Sequence, residues 1–93
     1  NQKEILLRQF EEDSIFYFHG HQITVNPTLI ATVKSYADLD RQTITLLDDF
    51  KTPFKVADPE NFLMKLSTKY QEALGIYERE YSKLIKQRGN LDA

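Results

Sequence analysis

The sequence predicts a small α+β domain, with two β-hairpins and a short helix packed on one long C-terminal helix, in the order (α)ββαββα. Apolar residues recur at intervals of three and four over residues 58–88, the spacing of a helical face. Residues 14–25 and 43–56 each combine β-favouring residues with a central turn signal. Asn or Asp followed by Pro occurs twice, and this pair is typical of a helix start.

The length of 93 residues allows one domain, and a monomeric core of that size is modest. Apolar residues make up 41% of the chain and charged residues 28%, which is typical of a globular protein. We expect a marginal N-terminal helix or arm over 1–13, a hairpin–helix–hairpin core over 14–57, a long helix over 58–88 and a tail over 89–93.

The N-terminal segment carries Ile5, Leu6, Leu7 and Phe10 at helical spacing within residues 3–12. A helix of about ten residues is marginal in water unless it packs against something. Two outcomes stay open: a short packed helix, or a frayed arm that becomes ordered with a partner.

The first hairpin is indicated by the β-rich run 15–18, the alternating run 22–25 and the pair His19-Gly20 between them. His tolerates positive φ and Gly adopts it freely, as a two-residue hairpin turn requires. His21 would then share the face of Phe18, so a bulge or a longer loop is the alternative. The expected register pairs Phe18 with His21, Phe16 with Ile23, and Ser14 with Val25.

The second helix should start at Asn26-Pro27 and run to about Tyr36 or Asp38. A second hairpin should follow, with one strand over 43–47, turn-forming residues, and a returning strand over 54–56.

The long helix should start at Asp58-Pro59 and end at Gly89, which can adopt the left-handed conformation. Gly75 costs up to about 1 kcal/mol in a helix interior, so it marks either a break or a close approach of another element. The apolar pattern continues across it, which favours a continuous helix. Thirty residues give about 45 Å of helix, which overhangs a domain about 30 Å across.

The overhanging half is rich in tyrosine, a residue with a large apolar body and a polar tip that is enriched at interfaces. We therefore expect a non-catalytic interaction or assembly module that presents this face to a partner chain or, as a homodimer, to itself. The structural alternative is that the helix bends over its own domain and docks on the N-terminal segment. The residues expected to bind the partner are Tyr70, Tyr77, Tyr81, Leu84 and Ile85.

A second hypothesis is a regulator associated with nucleic acid through Lys83, Lys86 and Arg88 near the helix end. The net charge of −2 gives no footprint for duplex DNA. Phe16 and Phe18 resemble a stacking platform, but their neighbours in the sequence are acidic or neutral. Core positions are the favoured interpretation of both rings.

A metal-binding protein or a small enzyme is the least favoured hypothesis. His19 and His21 are weak metal candidates, because no cysteine and no acidic residue closer than Asp13 completes a ligand set. Serines are scattered, and three glycines cannot build a phosphate-binding loop. We therefore expect no enzymatic activity, no cofactor and no small-molecule substrate.

The sequence shows no basic-then-apolar leader and no apolar run of the roughly 20 residues that a membrane span needs. It also contains no cysteine, which excludes disulfides and fits a reducing compartment. The expectation is a cytoplasmic protein without a membrane partner.

Overall fold

The structure, a computed structural model, describes the backbone of residues 1–92 and the side chains of residues 1–89. It confirms the predicted α+β class and the order of elements. The helices are α1 (Gln2–Asp13), α2 (Pro27–Asp38) and α3 (Pro59–Asp92), and the strands are β1 (Ile15–Phe18), β2 (His21–Thr24), β3 (Ile44–Leu47) and β4 (Pro53–Val56).

The first hairpin has the predicted register, with Phe16 opposite Ile23 and Phe18 opposite His21. The turn residues His19 and Gly20 have φ values of 49° and 83°, as a two-residue turn with the right twist requires. The register holds without the bulge considered as an alternative. His21 shares the inner face by stacking its ring on Phe54, 4.9 Å between centroids.

The second helix begins where the sequence predicts. The Asn26 side chain accepts a hydrogen bond of 2.8 Å from the backbone N–H three residues on, and so caps α2. At the other end Asp40 takes a φ of 54°. This lets the N–H of Arg41 donate to the carbonyl of Tyr36 at 3.2 Å, the bond that closes many helix ends.

The two hairpins form two separate two-stranded sheets, and each alone would be marginal in water. Their stability comes from shared packing on α2 and on the first half of α3. Phe62 is the largest fully buried side chain, and Leu66 lies one turn further along the same helix. The core is completed by Ile23, Val25, Val33, Ile44, Phe54 and Val56.

The third helix is continuous through Gly75, as the apolar pattern favoured. Within the described part of the chain, a Cβ at Gly75 would meet no atom within 4 Å apart from its chain neighbours and the adjacent backbone of α3, so close approach by another part of the chain does not explain this glycine. The predicted end at Gly89 was wrong, because α3 continues to Asp92. A single glycine costs only about 1 kcal/mol within a helix, and no proline follows to stop it. Residue 93 of the predicted tail lies outside the described residues.

The molecule is elongated, with extents of 57 × 26 × 17 Å and a radius of gyration of 16.6 Å. A compact chain of this length would have a radius of gyration of about 12 Å. The 34 residues of α3 account for the difference, since they span about 51 Å. The predicted overhang is therefore present.

Candidate functional site

The candidate site is the far half of α3 (residues 70–88). This half extends beyond the hairpins together with α1. The N-terminal segment is a packed helix, and α1 lies against this half of α3. The ring of Phe10 makes edge-to-face contacts with Tyr70 and Tyr77, each with 5.6 Å between centroids. Such contacts contribute about 0.5–1.5 kcal/mol beyond the burial of area.

Leu84 is a buried position of α3 next to α1. Its side chain is 7% exposed, although it lies well beyond the hairpins. It borders a groove of about 210 Å³ between the two helices, together with Ile5 and Leu6 of α1. Because no residue of α1 is itself fully buried, the pair of helices forms a thin layer rather than a second core.

The five residues predicted to bind a partner fall into two groups. Leu84 is buried, and Tyr70 and Tyr77 are half-buried against α1. The structural alternative expected this docking on the N-terminal segment, but α3 extends beyond the hairpins and not over them. Tyr81 and Ile85 remain 36% and 45% exposed. The structure thus brings Tyr70, Tyr77 and Leu84 under α1 and leaves Tyr81 and Ile85 open. Partner binding by these residues stays a prediction.

Tyr81 is held in place although it is exposed. Its ring stacks on that of Tyr77, with 6.0 Å between centroids and 17° between planes. Tyr77 is in turn fixed by Phe10, so a row of three rings runs from α1 to the open edge of α3. On α1, Leu7 is also 41% exposed. We call Leu7, Tyr81 and Ile85 the open edge.

The basic residues near the end of α3 are all exposed. Lys83 forms an ion pair of 3.1 Å with Glu80, three residues earlier. An exposed pair of this kind contributes at most about 1 kcal/mol. Lys86 and Arg88 lie further along the same helix, and a role for these three residues in binding nucleic acid stays a prediction.

The two histidines have different environments. His19 is exposed in the turn of the first hairpin. The Nδ1 atom of His21 lies 2.8 Å from a carboxylate oxygen of Asp48 in the β3–β4 loop. Within the described part of the chain, no three His, Asp or Glu side chains are grouped so that they could hold a metal ion.

Sequence reasoning missed what Asp48 and Asp49 do. One oxygen of Asp48 accepts hydrogen bonds from the N–H groups of Phe50 and Thr52, each at 2.9 Å, and the other contacts His21. We call the set of hydrogen bonds made by these two aspartates the hairpin clasp. An aspartate that opens a turn suggests the local bonds, but the link to the other hairpin crosses 27 positions and leaves no periodic signal.

Asp49 makes the second part of the hairpin clasp. Its carboxylate accepts from the N–H of Thr24 at 2.9 Å, from the Thr24 hydroxyl at 2.7 Å and from the amide of Gln22 at 3.1 Å. Its own N–H donates to the carbonyl of Gln22 at 2.9 Å. The two small sheets, which share no strand, are therefore joined through these hydrogen bonds.

Both aspartates of the clasp have a lowered pKa. The hydrogen bond from His21 has the largest effect on the pKa of Asp48 and lowers it, and desolvation opposes this in part. For Asp49, partial burial is the largest effect and raises the pKa, but the hydrogen bonds from Thr24 and Gln22 together outweigh it. Both carboxyl groups therefore bind a proton less readily in the folded state.

This predicts a fall in stability in acid. A carboxyl with a depressed pKa in the folded state contributes stability above the unfolded pKa and loses it as the pH falls through the folded value. We expect the free energy of unfolding to decrease as the pH drops below 3.8, the ordinary value for aspartate. Denaturant unfolding at a series of pH values measures this change in the free energy of unfolding.

The matched variants for this test change two carboxyl groups each. Asp48→Asn with Asp49→Asn should be less stable at neutral pH and lose less stability on acidification than the unaltered chain. Glu11→Gln with Glu12→Gln alters two exposed groups of α1 and should keep the original acid dependence. An equal acid dependence in all three proteins would contradict the role given to the hairpin clasp.

The chain matches no known family model, no curated protein and no solved structure. Among the described residues, no helix is both long enough and apolar enough to cross a membrane.

Proposed function

We propose that this chain is a non-catalytic protein–protein interaction or assembly module. It presents the open edge, formed by the far half of α3 and by α1, to a partner chain or to a second copy of itself. Tyr81 and Ile85 make the contact, while Tyr70, Tyr77 and Leu84 hold the surface in place by packing against α1.

The observation that carries this proposal is the position of the open edge on the overhang. Tyr81 and Ile85 on the far half of α3, and Leu7 on the helix that packs against α3, keep 36–45% of their surface exposed. Tyrosine is enriched at interfaces because it combines a large apolar area with a polar group.

The row of three rings formed by Phe10, Tyr77 and Tyr81 also reduces the entropic cost of binding. An interface side chain that is mobile before binding costs about 0.5–1.5 kcal/mol to immobilise. Tyr81 is already stacked on Tyr77, and Tyr77 is packed on Phe10. A partner that covers Tyr81 would therefore meet a side chain that is largely ordered.

The proposal is tested with the double variant Tyr81→Glu and Ile85→Glu. We expect light scattering to give a mass above 10.9 kDa for the unaltered chain at high concentration and 10.9 kDa for the variant. A variant with glutamate at the exposed positions Thr28 and Ala31 of α2 adds the same charge and should behave like the unaltered chain. If the unaltered chain is a monomer, the partner of the open edge would be a different protein and not a second copy.

The same double variant can contradict the proposal. A substitution at an exposed position normally changes the free energy of unfolding by no more than about 0.5 kcal/mol. If Tyr81→Glu with Ile85→Glu lowers the free energy of unfolding by several times that amount, the open edge belongs to the fold and not to an interface. Glutamate at Tyr77 and Leu84 would not separate the two explanations, because both side chains lie under α1.

A further inference from the structure

A groove lies between β1 and the first half of α3. Two cavities of about 350 Å³ and 260 Å³ adjoin there, and Asn61 and Lys65 line both of them. We call it the lysine groove. Its other main lining residues are Phe16, Phe18, Met64, Lys55 and Lys69.

The charge of the groove comes from residues far apart in the sequence. Lys55 belongs to β4, whereas Lys65 and Lys69 lie on α3. Within the described part of the chain none of the three is in an ion pair. Of the two acidic residues that line the groove, Asp58 already caps α3 by accepting from the N–H of Asn61 at 3.1 Å, and Glu72 lies at the opposite end. The three lysines favour an acidic ligand.

The backbone of β1 has a free edge. The Ser14 carbonyl accepts from Val25 at 3.0 Å and so points toward β2. Backbone groups alternate in direction along a strand, so those of Ile15 and Tyr17 point away from β2. Among the described residues, neither of these two N–H groups donates to a backbone carbonyl. Such an edge is a template for another strand.

The floor of the groove is apolar and incompletely covered. Met64 is 69% exposed on α3, and Phe16 is only partly buried beside it. Two strands do not cover this side of the helix, whereas a third strand on β1 would extend the sheet over it. From residue 58 to residue 72 the groove follows about 21 Å of helix, the length of about six extended residues.

We propose that the lysine groove and the free edge of β1 bind an extended acidic segment of another protein, which adds to the sheet as a third strand. Its backbone would pair with Ile15 and Tyr17. Alternate apolar side chains would pack on Phe16 and Met64, and flanking carboxylates would reach Lys55, Lys65 and Lys69.

A peptide fits this site better than single-stranded nucleic acid does. The rings of Phe16 and Phe18 already pack edge-to-face on Phe62, with 6.1 Å and 4.9 Å between centroids. Both rings are only partly exposed, whereas base stacking needs an open ring face. An unpaired strand edge, by contrast, matches the donors and acceptors of a peptide backbone.

The test uses a fluorescein-labelled octapeptide with two glutamates at each end and four central valines. We expect a saturable rise in fluorescence anisotropy, with a Kd below about 1 mM. Lys65→Glu with Lys69→Glu should weaken binding by about tenfold or more. Lys34→Glu with Lys86→Glu makes the same charge change at exposed positions outside the groove and should retain binding.

Three outcomes would overturn the proposal. The first is no rise in anisotropy up to about 1 mM peptide. The second is equal affinity for a peptide that is N-methylated at alternate residues, since methylation blocks strand pairing and leaves the charge unchanged. The third is tighter binding of an octameric oligothymidylate than of the peptide.

This site is separate from the open edge. Tyr81→Glu with Ile85→Glu should therefore leave peptide binding unchanged, so failure of one proposal is distinguishable from failure of the other.

Discussion

Phe62→Ala should lower the free energy of unfolding by about 3–5 kcal/mol, the largest single effect that we expect in this chain. The Phe62 side chain is 1% exposed, and the rings of Phe16, Phe18 and Phe54 surround it at 4.9–6.3 Å between centroids. Removing this ring leaves a cavity where both hairpins meet α3. Small domains are stable by only about 5–15 kcal/mol, so the loss is a large fraction of the total.

Thermal and denaturant unfolding measure this effect. For a chain of this size each kcal/mol corresponds to about 4–8 °C, so the melting temperature should fall by more than about 12 °C. Met64→Ala, two positions along the same helix, is the matched control, because Met64 is 69% exposed. It should change stability by less than about 0.5 kcal/mol. Similar losses from both variants would contradict the central position given to Phe62.

Leu84→Ala should be the second large effect, and it should act on α1. Leucine-to-alanine changes at buried sites cost about 2–5 kcal/mol. We expect the lower end here, because α1 has no fully buried residue and can settle toward the smaller side chain. Leu84 lies on the overhang. The loss of stability should therefore make local opening of α1 easier, while the hairpin core stays folded.

Hydrogen exchange separates that local effect from global unfolding. In Leu84→Ala the amides of α1 should exchange faster, whereas those of β2 and β4 should keep their protection. The neighbouring change Ile85→Ala is the control, because Ile85 is 45% exposed and should leave α1 protected. Unchanged exchange of α1 in Leu84→Ala would show that α1 is not held by this contact.

Most of the fold could be predicted from the sequence, because the sequence signals that determine it act locally. Asn26-Pro27 and His19-Gly20 act through backbone geometry within a few residues, and both produced the predicted structure. The helix end at Gly89 could not be predicted in the same way, since a glycine permits an end without enforcing one. Left-handed residues that are not glycine, such as Asp40 and Lys51, were also not foreseen.

The candidate site could be predicted only in part, because helical periodicity identifies the apolar face of a helix and not the element that covers it. The pattern grouped Tyr77, Tyr81 and Leu84 together, but it could not show that α1 would cover Leu84 and leave Tyr81 open. The lysine groove had no sequence signal at all. Phe16 has acidic or neutral neighbours along the chain, and only folding brings Lys65 and Lys69 beside it.

Photo-cross-linking in cells that make this protein shows whether the open edge contacts another chain. A benzoylphenylalanine replaces Tyr81 in one version and the exposed Lys34 of α2 in another. We expect a discrete covalent adduct from position 81, its loss when Ile85→Glu is added, and no such adduct from position 34. No adduct from position 81, or the same adducts from both positions, would contradict the proposed contact.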